Sequence, residues 1–262
     1  MANHTAVSSD IRRIYQALFD RFGTQNWWPG DTAFEVIVGA VLTQNTNWKN
    51  VEKAIINLKQ EGLLSVDRLH KVSLERLAQV IKPAGYFNIK AKRLKNVVAF
   101  IVERHGGSLD AIDQQSLDDL RRELLSINGV GPETADSILL YAFDRPAFVV
   151  DAYTKRFLTR HNIVPGEADY HEVQKIFLDA LDPDVGLFNE YHALIVRLAK
   201  DFCKTVPQCA DCPLQKMRYN LSDRCASCYR SFLDKEKRYY LKNKTTQPAC
   251  GSCRKRLMGA LN

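Results

Sequence analysis

The stretch SLDDLRRELLSINGVGPETADSILLYAFDRPAFVVDAYTKRFLTR, running from Ser116 to Arg160, decides the fold. Ser116 suits a helix N-cap, with the acidic Asp119 three positions on. Leu117, Leu120 and Leu124 recur at helical spacing until Asn128-Gly129-Val130-Gly131 interrupts them. Two glycines around one apolar residue permit a tight turn and let another chain approach the amides. Pro132 fits the first position of a second helix and Glu133 its first turn. Ala135, Ile138, Leu139 and Ala142 supply that helix with an apolar stripe, and Asp144-Arg145-Pro146 ends it. Phe148-Val149-Val150 reads as a short buried run that delivers Asp151 to the mouth of a third helix.

A hairpin of two helices with Gly-x-Gly at its tip suits phosphate. First-turn amides point outward there, and the helix dipole favours an anion. Such contacts grip a nucleic-acid backbone without reading its sequence. The same residues also describe a plain αα-hairpin whose glycines serve only the turn. Asp151 likewise has two compatible roles, as an N-cap and as a carboxylate held beside bound nucleic acid.

Upstream, Ile11 to Phe22 has the pattern of an amphipathic helix, followed by a loop that contains Trp27-Trp28-Pro29. Thr32 to Leu42 reads as a buried helix with Gly39 allowing close packing. Thr43-Gln44-Asn45-Thr46-Asn47-Trp48 is a polar segment before a helix over Val51 to Leu58, and it reads either as a lining or as an ordinary turn. Shorter helices are expected over Leu64 to Leu69 and Leu74 to Ile81, broken by Pro83-Ala84-Gly85. Tyr86-Phe87-Asn88 then precedes a helix carrying Lys90, Lys92, Arg93 and Lys95. Aromatics beside a basic helix start can stack on bases or wedge into a duplex, although a solvated basic face has the same look. After Arg160, His171 to Leu181 and Glu190 to Phe202 read as two more helices. No alternating strand pattern appears, so the fold class is all-α.

The chain has 262 residues, 45% of them hydrophobic, enough for a sizeable core in one or two domains. Its net charge of +7 is consistent with a polyanionic partner. No apolar run approaches the ~20 residues of a membrane span, and no signal peptide is visible, so an intracellular, cytoplasmic or nucleoid-associated protein without a membrane partner is expected. In that setting the seven cysteines read as metal ligands and not as disulfides. Cys225-x2-Cys228 and Cys250-x2-Cys253 form two pairs whose four thiolates would complete a zinc tetrahedron. From Arg218 to Arg256, eleven Lys or Arg residues face three acidic ones, a larger surplus than the whole chain carries. A basic, metal-stapled module of this kind fits a DNA clamp, and it also fits a solvated appendage.

LLSINGVGPETADSILLYA followed by VVDAYTKRF resembles the signature of the endonuclease III superfamily of DNA glycosylases: helix–hairpin–helix, Gly/Pro loop and catalytic aspartate. The likeness runs from about Trp27 to Cys212. It implies a two-lobed fold: a helical barrel over 33–147, a second lobe from 1–32 plus 148–216, and here an added basic, zinc-ribbon-like module over 217–262. It implies damaged double-stranded DNA as partner, a monomer, and DNA lying across the cleft between the lobes. Asp151 becomes the catalytic residue, and Asn128, Gly129, Val130, Gly131, Glu133 and Thr134 become DNA-binding residues. Trp27-Trp28-Pro29, LTQNTNW (Leu42 to Trp48) and KPAGYFNIKAKRL (Lys82 to Leu94) together resemble the 3-methyladenine DNA glycosylase branch. By that likeness Trp27 and Trp48 stack on a flipped base, with Trp28 and Pro29 shaping the wall. Gln44 fills the gap in the duplex, Asn45 beside it is a further DNA-binding residue, and Tyr86 wedges from the opposite side.

The superfamily members that also cut the strand carry a lysine just after the Gly-x-Gly; Glu133 stands there in this chain, and a carboxylate cannot form a Schiff base with the sugar. The resemblance therefore implies a monofunctional glycosylase of base excision repair that leaves an abasic site. A glycosylase for mismatched, deaminated or oxidised bases and a non-catalytic lesion-binding protein are the alternatives. Relatives often hold a [4Fe–4S] cluster on Cys-x6-Cys-x2-Cys-x5-Cys. Cys203-x5-Cys209-x2-Cys212 departs from that spacing by one residue, and Arg218 stands at the fourth position. Cys225 is left as a candidate shared between iron and zinc.

Overall fold

The computed structural model describes residues 4–27, 30–161 and 163–217. Trp28, Pro29, Arg218 and the four cysteines expected to bind zinc lie outside the described residues. Twelve α-helices are described: α1 His4–Phe22, α2 Ala33–Leu42, α3 Trp48–Gln60, α4 Val66–Lys71, α5 Leu74–Val80, α6 Phe87–His105, α7 Leu109–Asp113, α8 Leu117–Ser126, α9 Pro132–Ala142, α10 Ala152–Arg160, α11 Tyr170–Ala180 and α12 Val185–Asp201. There is no strand among the described residues, so the all-α class holds.

Caps decide most of the helix starts. The side chains of Thr32, Asn47, Ser65, Ser73, Ser108, Ser116, Asp151 and Asp169 each accept an amide from the helix they precede. Asp169 adds a reciprocal bond from Glu172, completing a capping box. Helices α6 and α9 depart from this rule, with Tyr86 and Gly131 at their N-cap positions and no side-chain cap at either.

The described residues form two compact units. One takes them from Trp27–Val149 and Pro183–Asn189, the other from Met1–Asn26, Val150–Asp182 and Glu190–Asn262. In the first, α2 packs along α9, while α6 packs on α2, α4, α5 and α7. Its core includes Phe34, Val41, Leu58, Leu77, Val97, Leu120, Ile138 and Leu139. In the second, α1 lies against α11. Tyr191 of α12 is buried between them, its ring edge-on to Tyr15 and Phe177 and its hydroxyl donating to the Ile11 carbonyl at 2.8 Å. Arg12 Nε donates to the Ala180 carbonyl at 2.6 Å, closing the far end of α11 onto α1. Among the described residues no helix is long and apolar enough to cross a membrane.

Candidate nucleic-acid interface and active site

The hairpin in the first unit is built around Gly129. Its φ of +96° lies where a side chain is strained, and a Cβ there would collide with the Arg93 side chain. Val130 turns inward and is buried, while Asn128 is exposed. Gly131 has ordinary backbone angles and open space where a Cβ would be. Its carbonyl starts α9, Pro132 takes the first position, and Glu133 is exposed in the first turn. The first amides of a helix have no acceptor within it. Here no side-chain cap covers them, and no Cβ blocks an approach at Gly131.

The loop of Gln44 and helix α6 reach this hairpin through side chains. Gln44 Nε2 donates to the Gly129 carbonyl at 3.0 Å and to the Thr134 hydroxyl at 2.9 Å, and its Oε1 accepts from Arg93 Nη1. Thr134 is buried, so the structure gives it a part in holding Gln44. Asn45 is exposed with a φ of +54°. Asn96 Nδ2 donates to the Asn128 carbonyl at 2.9 Å. Tyr86 stands at the N-cap of α6 with a φ of +46°, 68% exposed, and Ile89, one turn on, is 52% exposed. Lys90 is 1% exposed, and its Nζ donates to the carbonyls of Leu42 (2.9 Å) and Ala84 (2.7 Å). Burial, with a smaller contribution from the Arg93 charge, brings its pKa down to about 8.

The two described tryptophans pack on the α2–α9 pair. Trp27 meets Tyr141 of α9 edge to face, with ring centroids 4.9 Å apart. Trp48 opens α3, half-buried against the core, with its ring 3.6 Å from where a Cβ on Gly39 would be. Gly39 thus makes room for the indole. Tyr141 and Asn96 are side chains that the sequence reading did not single out, and Lys90, read there among the charges of a basic helix start, is buried. Their signal was polarity or an aromatic hydroxyl on an otherwise apolar helix face.

Asp151 belongs to the second unit. It caps α10: Oδ1 accepts from the Thr154 amide at 2.7 Å and from the Thr154 hydroxyl at 2.9 Å. Oδ2 lies 3.6 Å from His192 Nε2, and the two side chains are 15% and 8% exposed. Burial is the largest single influence on the carboxyl and favours its neutral form. The His192 ring and the two Thr154 donors together outweigh it, so the pKa lies below the ordinary aspartate value. Asp151 is thus held as a carboxylate with one oxygen fixed and the other beside a histidine. His192 escaped the sequence reading. Its clue is a histidine directly before the apolar run Ala193-Leu194-Ile195.

Cys203, Cys209 and Cys212, none in a disulfide, line one cavity of ≈ 40 Å3 with Arg160, His161 and Leu198. Arg160 Nη1 donates to Cys203 Sγ at 3.1 Å. His161 Nδ1 lies 3.1 Å from the Met217 carbonyl, to which it can only donate. Among the described residues no three His, Cys, Asp or Glu side chains converge on a single ion position.

A family model described as HhH-GPD superfamily base excision DNA repair protein matches residues 38–183. A Methanocaldococcus jannaschii protein named, by inference, a DNA repair glycosylase is 53% identical over 79% of this chain and 94% of its own length. Endonuclease III of Thermotoga maritima is 30% identical over 70% of this chain and 80% of its own. The crystal structure of the H. pylori 3-methyladenine DNA glycosylase bound to 1,N6-ethenoadenine is 29% identical and has a TM-score of 0.64. That match covers 72% of this chain and 97% of the H. pylori chain. The match over more than half of the chain, on the hairpin and aspartate described above, places the protein in the HhH-GPD superfamily of base excision DNA repair proteins.

Proposed function

We propose that the protein is a monofunctional DNA glycosylase that hydrolyses the N-glycosidic bond of alkylated purines of the 3-methyladenine type and leaves an abasic site. The observation that carries this reading is Asp151, kept ionised with Oδ2 not engaged by the cap. A water oxygen bonds to the sugar C1′ as the C1′–N bond breaks. The cationic base leaves neutral, and the proton of the water passes to Asp151 or to solvent. Asp151 steadies the positive charge that develops on the sugar. An N-alkylated purine already leaves readily, so what the protein supplies is selection of an extruded base. The aromatic faces of Trp27 and Trp48 suit a cationic ring, at roughly 0.5–2 kcal/mol each. The H. pylori relative supports this lesion class.

Glu133 at the position of the strand-cutting lysine supports hydrolysis without lyase chemistry. Gly129, Gly131 and the uncapped start of α9 offer amides to backbone phosphate, with Gln44 and Tyr86 entering the duplex. Cys203, Cys209 and Cys212, which line one cavity, would hold three corners of a [4Fe–4S] cluster. When bound, the cluster would supply a redox-active cross-link of that loop. Zinc on Cys225, Cys228, Cys250 and Cys253 completes the expected metal complement.

The test is base release from methylated DNA by the purified protein with Asp151→Asn beside it, scored before any alkali. Free 3-methyladenine from the wild type alone, with strands intact until alkali is added, is expected. Wild-type protein that binds this DNA but releases no alkylated base would sink the substrate assignment.

A further inference from the structure

Helix α6 sends three side chains, spaced by three along its length, to the loops of the candidate interface. Lys90 reaches the carbonyls of Leu42 and Ala84, Arg93 reaches Gln44, and Asn96 reaches the Asn128 carbonyl. Steps of three stay on one side of a helix. Lys90 stands apart from its neighbours because it is buried and bridges two segments. Leu42 is the last residue of α2, and Ala84 is the last of the short 3-10 turn Lys82–Ala84. Each of these carbonyls lies two residues ahead of a loop tip, Gln44 in one case and Tyr86 in the other. Each tip also holds a left-handed residue, Asn45 at φ +54° and Tyr86 at φ +46°. Residues in that region persist only where their surroundings fix them.

We propose that Lys90 is a positioning residue: one side chain, bonded to both loop stems, fixes the separation between Gln44 and Tyr86 so that both can engage one opened base pair. This rests on the reading that Gln44 and Tyr86 enter the duplex. An ammonium carries three donors on one nitrogen, so it can serve two carbonyls at once, which no apolar side chain can do. Burial at this point works against the charge, as the lowered pKa of Lys90 indicates. A position concerned only with packing gains nothing from a charged group there.

The experiment uses the full chain, a duplex with a tetrahydrofuran abasic analogue, and the same duplex undamaged. A 2-aminopurine opposite the abasic position reports unstacking by its fluorescence. The variants are Lys90→Met, Gln44→Ala, Tyr86→Ala and the double variant Lys90→Met/Tyr86→Ala. Lys90→Met is expected to cut the preference for the abasic duplex about tenfold, to leave undamaged-duplex affinity within about twofold, and to shrink the fluorescence rise. In the Tyr86→Ala background the same change is expected to cost no more than about twofold, because the tip it positions is gone. An equal factor in both backgrounds, or equal losses on both duplexes, overturns the proposal. Gln44→Ala and Tyr86→Ala that both keep the wild-type preference overturn the reading of the loop tips, and the proposal with it. A loss in those two but none in Lys90→Met overturns the proposal alone. Should Lys90→Met not fold, Lys90→Gln, which keeps a donor for one carbonyl, carries the same comparison.

Discussion

At Asp151 the two carboxylate oxygens have different surroundings. Oδ1 holds the start of α10 through Thr154, while Oδ2 faces His192. A carboxyl whose folded pKa is depressed contributes stability above its unfolded value, near 3.9, and loses it as pH falls through the folded pKa. The same shift keeps the carboxylate, the form that the proposed base release needs, populated in mild acid. His192→Gln removes one of the groups that offset burial, so the Asp151 pKa rises. The acid limb of single-turnover base release is expected to move to higher pH, with little change at pH 7. Superimposable profiles for the two proteins would remove His192 from the site. Asp151 was legible in the sequence because a cap followed by an amphipathic run is a local signal. His192 was not, because its meaning comes from a contact between distant parts of the chain.

At the scale of elements, the hairpin separates what glycine does for folding from what it does for binding. Gly129 has a positive φ and a neighbour in the way of any Cβ, and that neighbour, Arg93, holds Gln44. Gly129→Ala is expected to cost about 1–3 kcal/mol by urea unfolding and to weaken binding to abasic DNA as well. Gly131 has neither constraint, so Gly131→Ala is expected to cost about 1 kcal/mol or less in stability. Its methyl group nonetheless stands at the uncapped start of α9, and DNA affinity is expected to fall. Equal effects of the two variants on stability and affinity would defeat this division of labour. Helix starts were legible at Ser116 and Asp151, where a capping side chain stands next to the helical pattern. The starts of α3 at Trp48 and of α12 at Val185 lie ahead of the apolar repeats that signalled them, and α7 is too short to show a period. The convergence of Lys90, Arg93 and Asn96 on three loops depends on tertiary packing and leaves no trace in spacing.

At the scale of the whole molecule, the surplus of positive charge sits in the segment from Arg218 to Arg256, which lies outside the described residues. The match to the Methanocaldococcus jannaschii relative uses nearly all of that protein yet leaves about a fifth of this chain uncovered. Composition was enough to read this segment as basic and cysteine-paired, because charge count and thiol spacing need no fold. A segment that grips phosphate displaces counterions, and each lost phosphate contact lowers the slope of log affinity against log salt by about 0.9 on duplex DNA. Replacing Arg254, Lys255 and Arg256 with Gln in the full chain is therefore expected to flatten that slope by about 1–3 and to weaken binding on damaged and undamaged duplexes alike. Preference for the abasic site should survive, since Gln44, Tyr86 and Asp151 are untouched. A slope equal to that of the wild type would make the segment a solvated appendage. A loss confined to the abasic duplex would instead assign it a part in lesion recognition.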